Sequence, residues 1–403
     1  MKGETDMKRV LKVASIPVLL LGFLFTLISP LLALAKEADF VKVGVLMPLS
    51  GGGAPWGIGV LRGVELMADK INGEGGIKVG DKKYQVSLIK SDTKSDFNVS
   101  LAQANKMIFS DNIKYIIGPI LSGEALSAQT VTERNKVIMM SLCGTPKFFG
   151  ADKPYSFKLN LVDPVSVSGI FVYLSKHLPG VKKIALVGPN NESGWGSAEV
   201  ARELAKRAGT EIVAEDFLQP GATDYFPMLG KMIPKNPDAI FILATPAGQV
   251  AMLLQQGRQL GYNKLMISTT YADPQIILEK AGDAAEGYIF QSMDFEGPWS
   301  TQGHRELHKN YLEKYKETFN TNSGAGYPML YVLKLAIEKA GTFDSTAVAK
   351  AMENLEGEMP YGRFTMGGLK TYGGKRQILY PLIFSQIKNR KSVVLDSVMP
   401  LIP

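Results

Sequence analysis

Short apolar segments that alternate with amphipathic stretches constrain the fold of this chain more than any other feature. Between residues 41 and 141, apolar runs of strand length are separated by stretches such as 55–71, where apolar residues recur every three to four positions. The same alternation starts again after Pro164 and continues to residue 268. Strands separated by helices are typical of βαβ units and parallel sheets. The sequence therefore predicts an α/β fold with two successive lobes.

Length and charge agree with that prediction and argue against nucleic-acid binding. The chain has 403 residues, which is the size of two typical domains rather than one. Its formal net charge is +7, and the basic residues are spread along the sequence instead of forming a basic arm. A dispersed charge of this kind is typical of a solvated surface. We expect no nucleic-acid partner.

The N-terminal segment has the pattern of an export signal. Three basic residues precede an apolar run over 13–34, and the run ends at Ala33-Leu34-Ala35. This pattern predicts a signal peptide over residues 1–35, cleaved after Ala35, with a transmembrane anchor as the alternative. Cys143 is the only cysteine, so neither an internal disulfide nor a lipid-bearing cysteine after the cleavage site is expected. We expect a free periplasmic protein.

Two motifs that resemble enzyme or metal sites depart from the required patterns. Gly57, Gly59 and Gly63 differ in spacing from the dinucleotide-binding fingerprint, so close helix packing is their expected role. An NAD-dependent oxidoreductase is the alternative that they leave open. His304 and His308 have the spacing of a zinc-binding helix, but Arg305 stands where the protease motif needs Glu.

Charged residues around the two histidines predict a solvated helix face instead of a metal site. No nucleophile elbow and no phosphate-binding loop occurs in the sequence. We therefore expect no catalytic residue, no cofactor and no metal, and we predict that the protein is not an enzyme.

Polar turns follow two neighbouring strands of the first predicted lobe. Ser122 directly precedes a predicted helix from 123 to 134, where it is a natural N-cap. The N–H groups at the start of such a helix favour an anion, for instance a carboxylate. The next strand ends in a turn over 141–146 that also supplies a hydroxyl and backbone N–H groups. The two turns together predict an anion-binding edge of the sheet.

These residues also carry a resemblance to the periplasmic branched-chain amino-acid binding proteins, the type I solute receptors of ABC importers. Six short motifs stand in the order in which that family has similar ones. They are Val43-Gly-Val-Leu-Met-Pro-Leu-Ser-Gly51, Gly63-Val-Glu-Leu-Met67, Asp69-x-Ile-Asn72, Gly75-Gly-Ile77, Tyr115-Ile-Ile-Gly-Pro119 and Ala284-x-Glu286-Gly287. The resemblance covers essentially the whole chain after the predicted signal peptide.

The resemblance implies a type I periplasmic binding fold, in which two Rossmann-like lobes are joined by a three-strand hinge. The first lobe is expected to comprise 36–162 and 291–375, and the second 163–290 and 376–403. Such proteins close over one small-molecule solute and deliver it to an ABC permease of the inner membrane. A sensory ligand-binding module with the same fold remains an alternative role.

The resemblance also assigns candidate ligand-binding residues by position. Ser122 and Thr145 are similar to the hydroxyls that bind the solute carboxylate in the first lobe. Cys143 falls at a position that in this family usually contacts the solute through its backbone. Trp56 falls at a position where the family places an aromatic ring beside the solute. In the second lobe, Trp195 matches a position typically held by tyrosine.

The position of the acidic residue that binds the solute ammonium differs from the family pattern. By the closest register this position is Tyr271, with Asp273 two residues further on. Tyr327 adds a further aromatic ring near the expected cleft. The expected solute is a small carboxylate such as a branched-chain or other apolar amino acid. An aromatic acid or an amide remains the alternative, since a buried ammonium without a charge partner would be costly.

Overall fold

The structure, a computed structural model, describes residues 39–161, 165–271, 274–292, 297–317, 319 and 321–402. Its strands are, in chain order, β1 (Phe40–Met47), β2 (Ile77–Val79), β3 (Lys82–Asp92), β4 (Tyr115–Ile117), β5 (Ile138–Ser141), β6 (Ser156–Lys158), β7 (Lys183–Pro189), β8 (Glu211–Leu218), β9 (Ala239–Ile242), β10 (Leu265–Tyr271), β11 (Ile289–Ser292), β12 (Glu356–Met359), β13 (Gly362–Gly367), β14 (Gln377–Leu379), β15 (Leu382–Lys388) and β16 (Lys391–Val398).

Helices alternate with these strands over most of the chain, as the sequence predicts. They are α1 (Ala54–Gly73), α2 (Phe97–Phe109), α3 (Ser122–Arg134), α4 (Val165–His177), α5 (Glu192–Ala208), α6 (Phe226–Met232), α7 (Ala247–Gln259), α8 (Pro274–Ala281), α9 (Gln302–Tyr315), α10 (Thr321–Ala340), α11 (Ser345–Glu353) and α12 (Leu369–Tyr372). Local capping accounts for several of their ends. Asp96 and Asn191 accept backbone hydrogen bonds at the starts of α2 and α5, and Gly209 ends α5 with a left-handed conformation.

The first sheet has nine strands in the order β12-β13-β14-β6-β5-β4-β1-β3-β2. Its central strands from β14 through β6, β5, β4 and β1 to β3 pair in parallel, and antiparallel pairs occupy the two edges. The carboxyl ends of β1, β3, β4 and β5 therefore meet at one edge of this sheet. That edge carries the turns that the sequence predicts to bind an anion.

The second sheet has seven strands in the order β16-β15-β11-β10-β9-β7-β8. The strands from β8 to β11 pair in parallel, whereas β15 and β16 add an antiparallel hairpin from the end of the chain. The chain from Phe40 onward forms one compact unit that contains both sheets. The predicted α/β class is thus confirmed.

Strand pairing shows where the chain passes between the sheets. It passes between β6 and α4, then after Ser292, and again between Leu379 and Leu382. Residues 291 and 292 pair in the second sheet and residues 377–379 in the first, a few residues from the lobe limits predicted from sequence. The limits of the two lobes as separate domains stay a prediction.

The glycines of α1 are used for helix packing, as predicted. A Cβ atom on Gly63 would lie 2.9 Å from the backbone N of Tyr327 and still closer to the carbonyl of Ser323, both in α10. Gly326 of α10 makes the reciprocal approach to the backbone of Val60. Backbones this close leave no room for a side chain, so α1 and α10 cross with glycine on both sides.

The prediction of a solvated face around the two histidines of α9 is wrong for one of them. His304 is only 2% exposed and lies edge-on to Tyr361, while His308 lies against Phe319. The charged residues of α9 mark its outer face, but His304 belongs to the face that packs on the protein. Among the described residues, no group of three or more His, Cys, Asp and Glu side chains could hold a metal ion.

Candidate solute-binding site

Two neighbouring strand ends of the first sheet are joined through Ser122 and Thr145. The backbone N–H of Thr145 donates to Ser122 Oγ at 3.3 Å, and both residues are buried. Thr145 in turn accepts from the backbone N–H of Lys147 at 3.3 Å, which starts a short 3₁₀ turn. A hydroxyl that accepts one hydrogen bond keeps its own proton to donate. Both hydroxyls are therefore suited to donate to a carboxylate.

The prediction that Ser122 caps α3 is wrong. Leu121 occupies the N-cap position without a side-chain cap, and Ser122 is the first residue of the helix. The Ser122 hydroxyl accepts instead from the turn after β5, because that turn lies within reach of the helix start. The first-turn N–H groups of α3 thus keep the orientation that favours an anion.

Cys143 is fully buried beside this turn. Its backbone N–H donates to Ser141 Oγ at 3.0 Å, and Ser141 Oγ donates to the carbonyl of Pro119 at 2.6 Å. This hydrogen bond occupies the Cys143 N–H, so the carbonyl, which only accepts, is the one backbone group that Cys143 has left for a solute. Burial raises the pKa of the Cys143 thiol, which keeps it protonated at neutral pH.

Trp56 lies in the first turn of α1, next to the start of α3. It is 36% exposed, and a Cβ atom on Gly53, the N-cap of the same helix, would lie 3.0 Å from Leu121 Cδ1. Asp92 at the end of β3 holds the loop before α1 by accepting from the N–H of Leu49 at 2.8 Å. Burial would raise the pKa of Asp92, but the hydrogen bonds that it accepts outweigh burial and lower the pKa.

Trp195 lies in the first turn of α5, which follows β7 of the second sheet. Its indole Nε1 donates to Asn190 Oδ1 at 2.9 Å, and 44% of the residue is exposed. The same turn of α5 meets the turn after β5, because Ser193 lies against Gly144 and Gly196 against Pro146. The structure thus brings Trp195 of the second sheet to the strand ends that carry Ser122 and Thr145.

Of the other predicted site residues, Tyr271 is described only in part, Asp273 is not described, and Tyr327 lies in the core. Tyr271 ends β10, at the corresponding edge of the second sheet, but its side chain lies outside the described residues, as does all of Asp273. Tyr327 is 7% exposed and lies in the core between α10 and α1, where burial raises the pKa of its hydroxyl.

A cavity of about 530 Å³ opens further along α5. Its wall includes Phe149 from the short 3₁₀ turn after β5, Tyr372 of α12, and Val200 and Leu204 of α5. Its volume is typical of a ligand pocket, but none of the described candidate residues lines it. The paired hydroxyls and the helix N-terminus occur at the strand ends instead, so the chemistry favours the strand ends as the solute site.

Sequence reasoning missed the residues that support the site. Asn190 orients the ring of Trp195, and Ser141 ties two turns together. Gly144 and Gly196 let the two lobes touch. A glycine inside a helical pattern such as Gly196 often marks close packing, and that signal could have identified it.

Comparison with known proteins identifies the family of the chain and supports its fold. The sequence profile of the periplasmic binding protein family matches residues 41–391. The chain belongs to this family. Like other periplasmic binding proteins it has two parallel-rich sheets, and its structural neighbours have the type I fold. Within the described residues, no helix is both long and apolar enough to cross a membrane.

Proteins that are similar to this chain bind different solutes. The chain is 28% identical over 342 residues to the Leu/Ile/Val-binding protein BraC3 of Rhizobium johnstonii, covering 83% of this chain and 87% of BraC3. The substrate-binding protein LivJ of Streptococcus pneumoniae, in complex with isoleucine, is similar with a TM-score of 0.74 and 21% identity, covering 90% of this chain and 100% of LivJ.

A second solved relative holds a different kind of solute. It is a solute-binding protein of R. palustris in complex with benzoate, with a TM-score of 0.72 and 18% identity, covering 91% of this chain and 98% of that protein. At this level of identity the two solved structures indicate the fold alone. Neither identifies the solute of this chain.

Proposed function

We propose that this periplasmic binding protein captures a small carboxylate outside the cytoplasm and closes its two lobes over it. One observation carries the proposal, namely the pairing of Ser122 and Thr145 at the carboxyl ends of parallel strands, opposite the first turn of α5. Ligands of open α/β sheets bind in the crevice outside such strand ends. The family is one of binding proteins, which supports a function without catalysis.

In this proposal the first lobe holds the anionic head of the solute. The Ser122 and Thr145 hydroxyls donate to the carboxylate, and the N-terminus of α3 adds favourable electrostatics. Cys143 contributes its backbone carbonyl, which accepts a hydrogen bond from a donor group of the solute. Trp56 and Trp195 contribute aromatic walls, since both are partly exposed beside the strand ends.

The remaining candidates would determine which carboxylate binds. Asp273 would pair with an ammonium group, and this role favours apolar amino acids such as leucine, isoleucine and valine. Tyr271 in the family's acidic position favours an aromatic acid or an amide. The names of the relatives support both solute classes.

The proposed location and partner follow from the family and the N-terminal segment. A signal peptide over 1–35 would export the protein to the periplasm, where curated relatives in this family bind amino acids. An ABC permease of the inner membrane would receive the solute. A sensory role remains the second candidate, because the same fold can signal closure to a receptor.

A thermal-shift screen of the mature protein, unfolded and refolded to remove carried-over solute, tests the proposal. The panel holds leucine, isoleucine, valine, phenylalanine, benzoate, 4-hydroxybenzoate, a short amide and NAD. Binding to the native state alone raises the melting temperature by mass action, so we expect a rise of several degrees with at least one carboxylate. A rise with NAD alone would favour the oxidoreductase alternative and overturn the proposal.

A further inference from the structure

The two lobes touch through glycines on both sides of the proposed site. Gly144 lies in the turn after β5, and Gly196 lies in the first turns of α5. A Cβ atom on Gly144 would lie 2.9 Å from Ser193 Cβ and still closer to Ser193 Oγ. A Cβ atom on Gly196 would lie 3.3 Å from Pro146 Cγ and still closer to Pro146 Cδ. Neither position has room for a side chain while the lobes are in contact.

The neighbours at both contacts are too rigid to move aside. Pro146 has its Cδ in a ring that is fixed to the backbone. Ser193 lies in a helix turn held by Asn191, whose Oδ1 accepts from the N–H of Ser193 at 3.1 Å. An added methyl group must therefore push the turn and the helix apart. Because the turn belongs to the first sheet and the helix to the second, this displacement would separate the lobes.

We infer that Gly144 and Gly196 form a closure contact, a pair of positions that must be glycine for the lobes to close over the solute. The inference rests on the proposed function, because it presumes that the lobes open and close. A ligand that binds only the closed form loses affinity when that form becomes harder to reach. The two glycines would thus control affinity through closure of the lobes.

Other contacts in the same region do not have this property. Gly194 approaches Pro189 closely, but both residues belong to the second lobe and stay together in any lobe movement. Gly230 in α6 has no atom within 4 Å of an added Cβ. Gly230→Ala is therefore a matched control, since it adds the same methyl group to a helix without a clash.

The test compares Gly144→Ala, Gly196→Ala and Gly230→Ala in the mature protein. Titration calorimetry measures the affinity for the solute found in the screen, small-angle scattering measures the radius of gyration, and thermal unfolding measures solute-free stability. We expect at least tenfold weaker binding and a larger radius of gyration for the first two variants. Their solute-free melting temperatures should stay within about 2 °C of the control, because the two lobes can separate without either of them unfolding.

Two results would overturn the inference. Affinity equal to that of Gly230→Ala would show that the contact does not limit closure. A lower solute-free melting temperature with an unchanged radius of gyration would show that the two glycines belong to a contact that is always present and stabilises the fold, not to one that forms on closure. If the wild type binds no solute in the panel, the proposed solute class is wrong, and the closure contact is then tested by the radii of gyration alone. A larger radius in both variants then supports the closure contact, and an equal radius contradicts it.

Discussion

The backbone N–H of Thr145 donates to Ser122 Oγ at 3.3 Å, and this bond joins the ends of two neighbouring parallel strands. It positions the Ser122 hydroxyl, and the Thr145 hydroxyl is positioned by accepting from the backbone N–H of Lys147 at 3.3 Å, so neither hydroxyl uses its proton. A pair of fixed donors needs little reordering when a carboxylate arrives, so most of its interaction energy is available for binding. The solute affinity of this chain should depend on both residues.

Replacing Thr145 with valine tests that dependence. Thr145→Val keeps the shape of the side chain but removes the hydroxyl, so we expect solute binding to weaken by about 1–3 kcal/mol. The protein should remain folded, and calorimetric titration measures the loss. Thr130→Val is the control, because Thr130 is an exposed residue on the outer side of α3. Unchanged affinity in Thr145→Val would remove this residue from the site.

Trp56→Ala tests the aromatic wall. Trp56 is 36% exposed, so its loss should lower the free energy of unfolding less than the loss of a fully buried tryptophan would, and the protein should remain folded. We expect binding to weaken by about 1–3 kcal/mol, as for the loss of one aromatic contact. Phe109→Ala, which removes an exposed ring from the far end of α2, should leave affinity unchanged. Equal effects of the two substitutions would contradict the assignment of Trp56.

Glu124 should make stability fall as the pH rises. It is 2% exposed, its Oε1 accepts from Thr93 Oγ1 at 2.7 Å, and no described residue donates to its Oε2. Burial raises the pKa of Glu124 to about 7, the Thr93 hydrogen bond opposes this, and the charges of Asp92 and Asp96 add to it. The folded state therefore holds this proton more tightly than the unfolded state does.

Because the pKa is raised on folding, the stabilisation is complete below about pH 4.5 and is lost as the pH rises through 7. Glu124→Gln should remove this loss. The free energy of unfolding of the variant minus that of the wild type should therefore be about 2 kcal/mol larger at pH 8 than at pH 5. Urea unfolding at both values measures it, with exposed Glu199→Gln as the control. If the free energy of unfolding changes by the same amount between pH 5 and pH 8 in Glu124→Gln and in the wild type, the expectation is contradicted.

Gly63→Ala tests the crossing of α1 and α10. The added methyl group would meet the backbone of α10, so we expect a loss of about 2 kcal/mol or more in the free energy of unfolding. Gly73→Ala lies at the end of the same helix with no atom within 4 Å of the new Cβ, and it should be neutral or slightly stabilising. If chemical denaturation finds the two variants equally stable, the crossing does not require glycine.

The fold could be predicted because its elements have strong local signals. The apolar runs that became β1 and β7 are flanked by turn residues, and the long periodic stretches became α1 and α5. Three of the six family motifs lie in β1 and α1 or begin there. Limits between the lobes were harder to place, because the crossings involve short strands such as β11 and β14 whose pairing depends on distant residues.

The site could be predicted only in part, because its support comes from contacts distant in sequence. The sequence predicts Ser122 as a site residue, but the backbone N–H that donates to its hydroxyl lies 23 residues away in another turn. The burial of His304 depends on Tyr361 from a later segment, so the charged neighbours in sequence were misleading. The contacts of Gly144 and Gly196 join two sheets, and no local pattern encodes which turn meets which helix.

The central claim, capture of a carboxylate at the strand ends, is tested most directly by a pair of titrations. Calorimetry would compare the best carboxylate from the screen with its methyl ester, which keeps the body of the solute but removes the charge. We predict one site per protein for the carboxylate and at least tenfold weaker binding of the ester, about 1.4 kcal/mol or more. Equal affinity for the two would contradict the claim.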